Sequence, residues 1–143
     1  MPFPLDDHLR TRLQPPGDWF TTPLRLAAVL CPIVDHAGED HLLLVARPAD
    51  ARQHAGQLAF PGGMRTGHET IEATARRECR EEIGVPDGAI EVLGALPPRT
   101  SSSGILAHAV VARLQPVALQ PDLREVVRVL YVPLRELRDD SRW

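Results

Sequence analysis

The chain has 143 residues, a formal net charge of −3, 43% hydrophobic and 24% charged residues, the proportions of a globular protein of single-domain size. Net negative charge without a basic stripe argues against nucleic acid and anionic membrane as partners, and no apolar run approaches the ~20 residues of a membrane-spanning helix. All 16 basic residues are Arg, which excludes a lysine Schiff base, a Walker A phosphate loop and a Ser–Lys pair.

MPFPLDDHLR carries no basic-then-apolar leader, so the expected location is cytoplasmic. Leu5, Leu9 and Leu13 stand four apart, the stripe of a short amphipathic helix over Leu5–Leu13. Gln14–Pro23, with three prolines and a glycine, is a loop. Leu24–Val34 reads as a buried strand, with Pro32 marking an edge or bulge near its end. Asp35–Asp40 is a hairpin connection and His41–Pro48 a second strand. Ala49–Phe60 is an ordered loop that runs into a short strand at Gln57–Phe60. Strands follow at Ile90–Pro98, Ile105–Leu114 and Arg124–Leu134, and the last ten residues begin a helix. The expectation is one domain, 1–143, of α/β (α+β) class: strands around a central helix with helices outside. Cys31 and Cys79 lack metal-site spacing and read as buried thiols.

The stretch Phe60–Val85 carries the chemistry. Pro61-Gly62-Gly63 opens it as a tight turn whose glycines free backbone carbonyls for a cation and amides for a phosphate. A helix is expected from about His68 to Ile83. On a helical wheel Ile71, Ala75, Cys79 and Ile83 form an apolar stripe with Glu78, Glu81 and Glu82 beside it, while Arg76, Arg77 and Arg80 take the largely opposite side. Glu78–Glu82 and Arg76–Arg80 are like-charge i,i+4 pairs, and only Arg77–Glu81 is read as favourable at that spacing. Segregated carboxylates beside a buried face suit a hard divalent cation, Mg²⁺ or Mn²⁺; a plain solvated charged helix is the competing reading.

Gly63, Glu69, Arg77-Glu78, Glu81-Glu82, Ile83-Gly84-Val85 and the gaps between them match the Nudix box at every defined position. The chain therefore resembles the Nudix hydrolases. The resemblance implies an α/β/α sandwich with a central mixed β-sheet and hydrolysis of a nucleoside diphosphate linked to another moiety. It implies Glu78, Glu81, Glu82 and the Gly62 carbonyl as metal ligands, Arg77 as the residue orienting a helix glutamate, and Glu69 as a structural, outer acid. Glu78 is then the proton acceptor, or an acid from outside the box, for which Glu125 at the head of the Arg124–Leu134 strand is the candidate.

LLVARPADARQHAGQLAFPGG (Leu43–Gly63) further resembles the motif of the coenzyme A pyrophosphatases within that family. Arg47, Arg52, His54, Gly56 and Gly63 become candidate substrate-binding residues, the two arginines suiting bidentate bonds to phosphate. His54 either binds phosphate or packs the loop. Val45, Pro48 and Ala51 depart from that pattern, the turn after Gly63 is shorter, and such relatives continue beyond the position of Trp143. The resemblance implies cleavage of coenzyme A to 3′,5′-ADP and 4′-phosphopantetheine. The alternatives are ADP-ribose or another nucleoside diphosphate derivative as substrate, or a non-catalytic nucleotide-binding module. The sequence leaves subunit number open, a homodimer included.

Overall fold

Alternation along the first long strand decides the layering. In the computed structural model, which describes residues 3–49 and 56–137, β1 (Arg25–His36) sends Ala28 and Leu30 to one face and Cys31 and Ile33 to the other. The first face packs on the apolar stripe of helix α2 (Ile71–Ile83), with Ile71, Ala75, Cys79 and Ile83 all buried. The second packs with Leu93 and Val111 beneath Leu5, Leu9 and Leu13 of helix α1 (Pro4–Arg12) and the residue after it. Two helices thus sandwich one mixed sheet, each covering the face whose period-2 pattern matches its own stripe. Among the described residues no helix is long and apolar enough to cross a membrane.

β1 is joined to β2 (Glu39–Ala46) by Ala37-Gly38, both at positive φ, a two-residue turn whose twist suits a hairpin. The two strands pair over Ile33–His36 and Glu39–Leu42 and then separate. Into the fork run β3 (Leu58–Ala59), paired with β2, and β4 (Gly62–Met64), paired with β1. β1 pairs in parallel with β6 (Ile105–Leu114), β6 in antiparallel with β5 (Ile90–Thr100), and β7 (Arg128–Pro133) adds to the outside of β2. A four-residue helix, α3 (Leu134–Leu137), follows.

Pro32 corrects the edge reading. β1 lies inside the sheet and Pro32 is fully buried opposite Ala112. Leu30 donates its N–H to the Pro61 carbonyl on the fork side, and Pro32, two residues on, points its nitrogen the same way. There the β4 pairing has ended and the β2 pairing has not begun, so no donor is required. The strand expected over Arg124–Leu134 is also shorter. Leu123–Glu125 form a turn in which the Asp122 carbonyl accepts from the N–H of Glu125 and of Val126, and the Asp122 carboxylate from that of Arg124. Helix α2 starts at Ile71 rather than His68, because Thr70 takes the N-cap and its hydroxyl accepts from Ala73 N–H at 3.1 Å.

Candidate active site

Helix α2 ends at Gly84, whose φ of 73° suits a residue without Cβ. The chain then returns across this helix end: Gln120 N–H donates to the Ile83 carbonyl and Asp122 N–H to the Glu82 carbonyl, both at 2.8 Å. These bonds satisfy helix-end acceptors and bring the 123–125 turn beside α2. As a result Glu78, Glu82 and Glu125 converge, with one carboxylate oxygen of each within 4.8 Å of the others.

The three acids have different surroundings. Glu82 is 5% exposed and accepts from Gly62 N–H at 3.3 Å. Burial first, and then the neighbouring Glu78, push its carboxyl up to about 8, with Arg47 and the Gly62 amide pulling the other way. Burial also raises Glu78, opposed by Arg77. Glu125 is exposed. Three clustered carboxylates, one of them buried, are a hard-oxygen donor set that fits a divalent cation and gains from its charge.

Arg77 is the hub of a second network, one guanidinium bonded to three carboxylates, that shares Glu78 with the first. Its guanidinium bonds both oxygens of Glu69 at 2.7 and 3.1 Å, Glu78 at 3.0 Å, Glu81 at 3.1 Å and the Met64 carbonyl at 3.0 Å. The wheel placed Arg77 away from the acids; its long side chain instead folds across to them. Arg76 pairs with Glu72 at 3.1 Å, a favourable i,i+4 contact beyond the Arg77–Glu81 pair expected. Glu69 is held below the ordinary carboxylate range, chiefly by its bond to Arg77, with Thr66 N–H and the Thr74 hydroxyl adding donors. Trp19 Nε1–H donates to the Glu69 carbonyl at 2.9 Å. Sequence reasoning missed Thr74 and Trp19. A buried Thr on a helix and a Trp in a proline-rich loop carry no periodic signal.

Glu81 is exposed, bound to Arg77, and outside the group of three. It is the Gly62 amide whose contact with a box acid is resolved, by its bond to Glu82. Added Cβ atoms show why the glycines are needed. One on Gly62 would stand 2.6 Å from the Ala28 carbonyl oxygen, and one on Gly63 2.5 Å from the Glu78 carboxylate. Beside them a cleft of about 340 Å³ opens on the Ala27–Val29 face of β1, with Arg47, Phe60, Met64 and Ser101 among its walls. Gly56 turns at φ 69° and donates its N–H to the Pro48 carbonyl, closing the loop without lining the cleft. Arg52 and His54 lie outside the described residues.

The model of the NUDIX domain matches residues 24–143. A protein of Photorhabdus laumondii described as an uncharacterized Nudix hydrolase, NudL, is 40% identical over 132 residues, covering 91% of this chain and 70% of that protein. Among solved structures, a Nudix hydrolase from M. smegmatis, RenU, superposes with TM-score 0.67 at 26% identity, covering 89% of this chain and 81% of that one. The NUDIX domain of Shewanella oneidensis NrtR, solved with ADP-ribose, superposes with TM-score 0.64 at 22% identity, covering 82% and 78%.

Proposed function

This chain belongs to the Nudix family of hydrolases acting on diphosphate anhydrides, and we propose that its substrate is coenzyme A, cut to 3′,5′-ADP and 4′-phosphopantetheine by the residues gathered at the fork between β1 and β2. The observation that carries the site assignment is the convergence of Glu78, Glu82 and Glu125. Nudix hydrolases use divalent cations; here Glu78, Glu82 and the Gly62 carbonyl would hold Mg²⁺ or Mn²⁺, with Glu81, bound to Arg77 in this structure, the further ligand that the resemblance implies. Such an ion supplies charge neutralisation for the diphosphate and acidifies a bound water.

The protein residues do the rest. Arg77 fixes the rotamer of Glu78 through their 3.0 Å bond. Glu125, or Glu78, takes the proton of the attacking water. The water oxygen bonds to phosphorus as the bridging P–O bond breaks in line, and the displaced phosphate leaves as an anion. Arg47, beside Glu82 in the cleft wall, holds diphosphate oxygens, with Arg52 as its partner from the same loop. Residues 1–143 act as one domain in this reading.

The substrate is the finer claim and rests on the Leu43–Gly63 resemblance. A panel of coenzyme A, ADP-ribose, NADH and diadenosine polyphosphates, with Mg²⁺ and with Mn²⁺, tests it by chromatography of the products. Coenzyme A is expected to give the highest kcat/KM. A preference for ADP-ribose removes coenzyme A while leaving the reaction class, and no turnover of any diphosphate sinks the catalytic reading.

A further inference from the structure

Beyond the walls of the cleft beside Gly62 and Gly63, two arginines that the reaction leaves unused share the face of its floor. Its floor is a row of paired residues across three strands, Met64, Ala27 and Ala107. Register places Arg99 of β5 opposite Ala107, at the end of that row. Directly paired residues point to the same face, so Arg99 stands on the cleft face. Arg25 does too, opposite the cleft residue Ile105 and two residues before Ala27 on β1. Both are exposed, and neither makes a hydrogen bond or ion pair with a described residue. Arg12, Arg65 and Arg128 are likewise exposed with no carboxylate bound among the described residues, so it is their place on the cleft face that singles out Arg25 and Arg99.

A β-bulge turns Arg99 to this face. Leu96 pairs with Ala109, so unbroken pairing would set Pro98 against Ala107 and Arg99 against Leu106, on the α2 side. The extra residue between Leu96 and Arg99 sets Arg99 against Ala107 instead. Pro97 and Pro98, which have no N–H to give the ladder, occupy the irregular stretch, and its consequence is that Arg99 shares a face with the cleft floor. The row from Met64 to Arg99 crosses three strand spacings, on the order of 14 Å, and both guanidinium groups can reach back over the small floor residues Ala27 and Ala107.

We propose that Arg25 and Arg99 receive a second anionic group on the substrate, a phosphate monoester borne by the same nucleoside as the diphosphate. Two planar forks suit three terminal phosphate oxygens. The assignment rests on the coenzyme A reading and deepens it, because the 3′-phosphate is the group that separates coenzyme A from its dephospho form and from ADP-ribose. Arg47 then serves the diphosphate, and Arg25 with Arg99 the far phosphate.

The test is calorimetric titration of 3′,5′-ADP and 5′-AMP into wild type, the Arg25→Gln/Arg99→Gln double variant and Arg52→Ala, all with Mg²⁺ and with melting curves recorded. Wild type is expected to prefer 3′,5′-ADP by roughly tenfold or more. The double variant should bring that ratio to about one without changing 5′-AMP affinity. In kinetics its KM for coenzyme A rises while that for dephospho-coenzyme A does not. The proposal is overturned if wild type shows no preference, or if the preference survives in the double variant and disappears in Arg52→Ala. A wild type that prefers 3′,5′-ADP through these arginines yet does not hydrolyse coenzyme A would refute the substrate reading alone.

Discussion

Two clusters of charge, each built around a buried ionisable side chain, lie on opposite sides of the sheet. On the α1 side Arg113 of β6, fully buried, bonds Asp6 at 2.7 Å and Asp40 at 2.8 Å, with the Phe3 ring 3.8 Å from its guanidinium carbon. Burial works against the Arg113 charge, and the two aspartates more than offset it. Beside α2, Glu78, Glu82 and Glu125 crowd together, with Arg77 and Arg47 the cations that act on them among the described residues. The first cluster carries its own counter-charge and ties residues 107 apart in sequence. In the second, burial first and then the neighbouring Glu78 push Glu82 up to about 8, against the pull of Arg47 and the Gly62 amide. One is matched in charge by described residues of the chain; the other is an acidic cluster that a divalent cation would suit.

Glu82→Gln should give the largest effect, on rate rather than fold. kcat is expected to fall on the order of 10³-fold with folding intact. The same variant tests the electrostatics. Folded Glu82, raised from 4.5 to about 8, keeps a proton that the unfolded chain loses, so cation-free stability must fall as pH rises through that window. Cation-free wild type should therefore lose Tm between about pH 5 and 8, the variant should show a flatter profile, and saturating Mg²⁺ should remove the difference. A wild-type Tm that rises across this range would contradict the upward shift of Glu82.

Arg113→Met should do the reverse. It strands Asp6 in the core, and stability is expected to drop by about 3–5 kcal/mol in urea unfolding, with kcat below the melting range unchanged. Comparable damage to kcat would mean that the two clusters are coupled. The smallest effects separate two adjacent glycines. Gly63→Ala meets a movable carboxylate, so it should lower kcat roughly tenfold by displacing Glu78 at near-normal stability. Gly62→Ala meets backbone and should cost about 1–3 kcal/mol of stability. Equal outcomes for the two would show that the Glu78 position is not critical.

The sequence made the stripe of α2 readable because a 3.6-residue period is local: Ile71, Ala75, Cys79 and Ile83 all point into the core. The box acids were readable by spacing. What was hidden depends on distant partners or on side-chain length. Arg77 makes the expected i,i+4 pair with Glu81, but its further bonds to Glu69 and the Met64 carbonyl depend on the reach of a long side chain that a wheel does not show. Pro32 looked like an edge marker because nothing local says that a fork begins there. The pairing of Arg113 with Asp6 leaves no trace in composition, and the bulge before Arg99 is visible only in the register of two strands. Glu125, read as an acid from outside the box at the head of a strand, lies instead in a turn, with a carboxylate oxygen within 4.8 Å of those of Glu78 and Glu82.

The parallel pairing of β1 with β6 governs when activity can first exist as the chain folds. Arg25 meets Ile105 and Ile33 meets Arg113, contacts some 80 residues apart whose loop-closure cost slows their formation. Glu78 and Glu82 share a helix and can approach early. Glu125 reaches them from beyond β6, on a loop held against the end of α2 by Gln120 and Asp122. Contact-order reasoning therefore predicts that the third acid joins late, which a partly folded chain holding the whole Nudix box would show by binding Mn²⁺ more weakly than the folded protein.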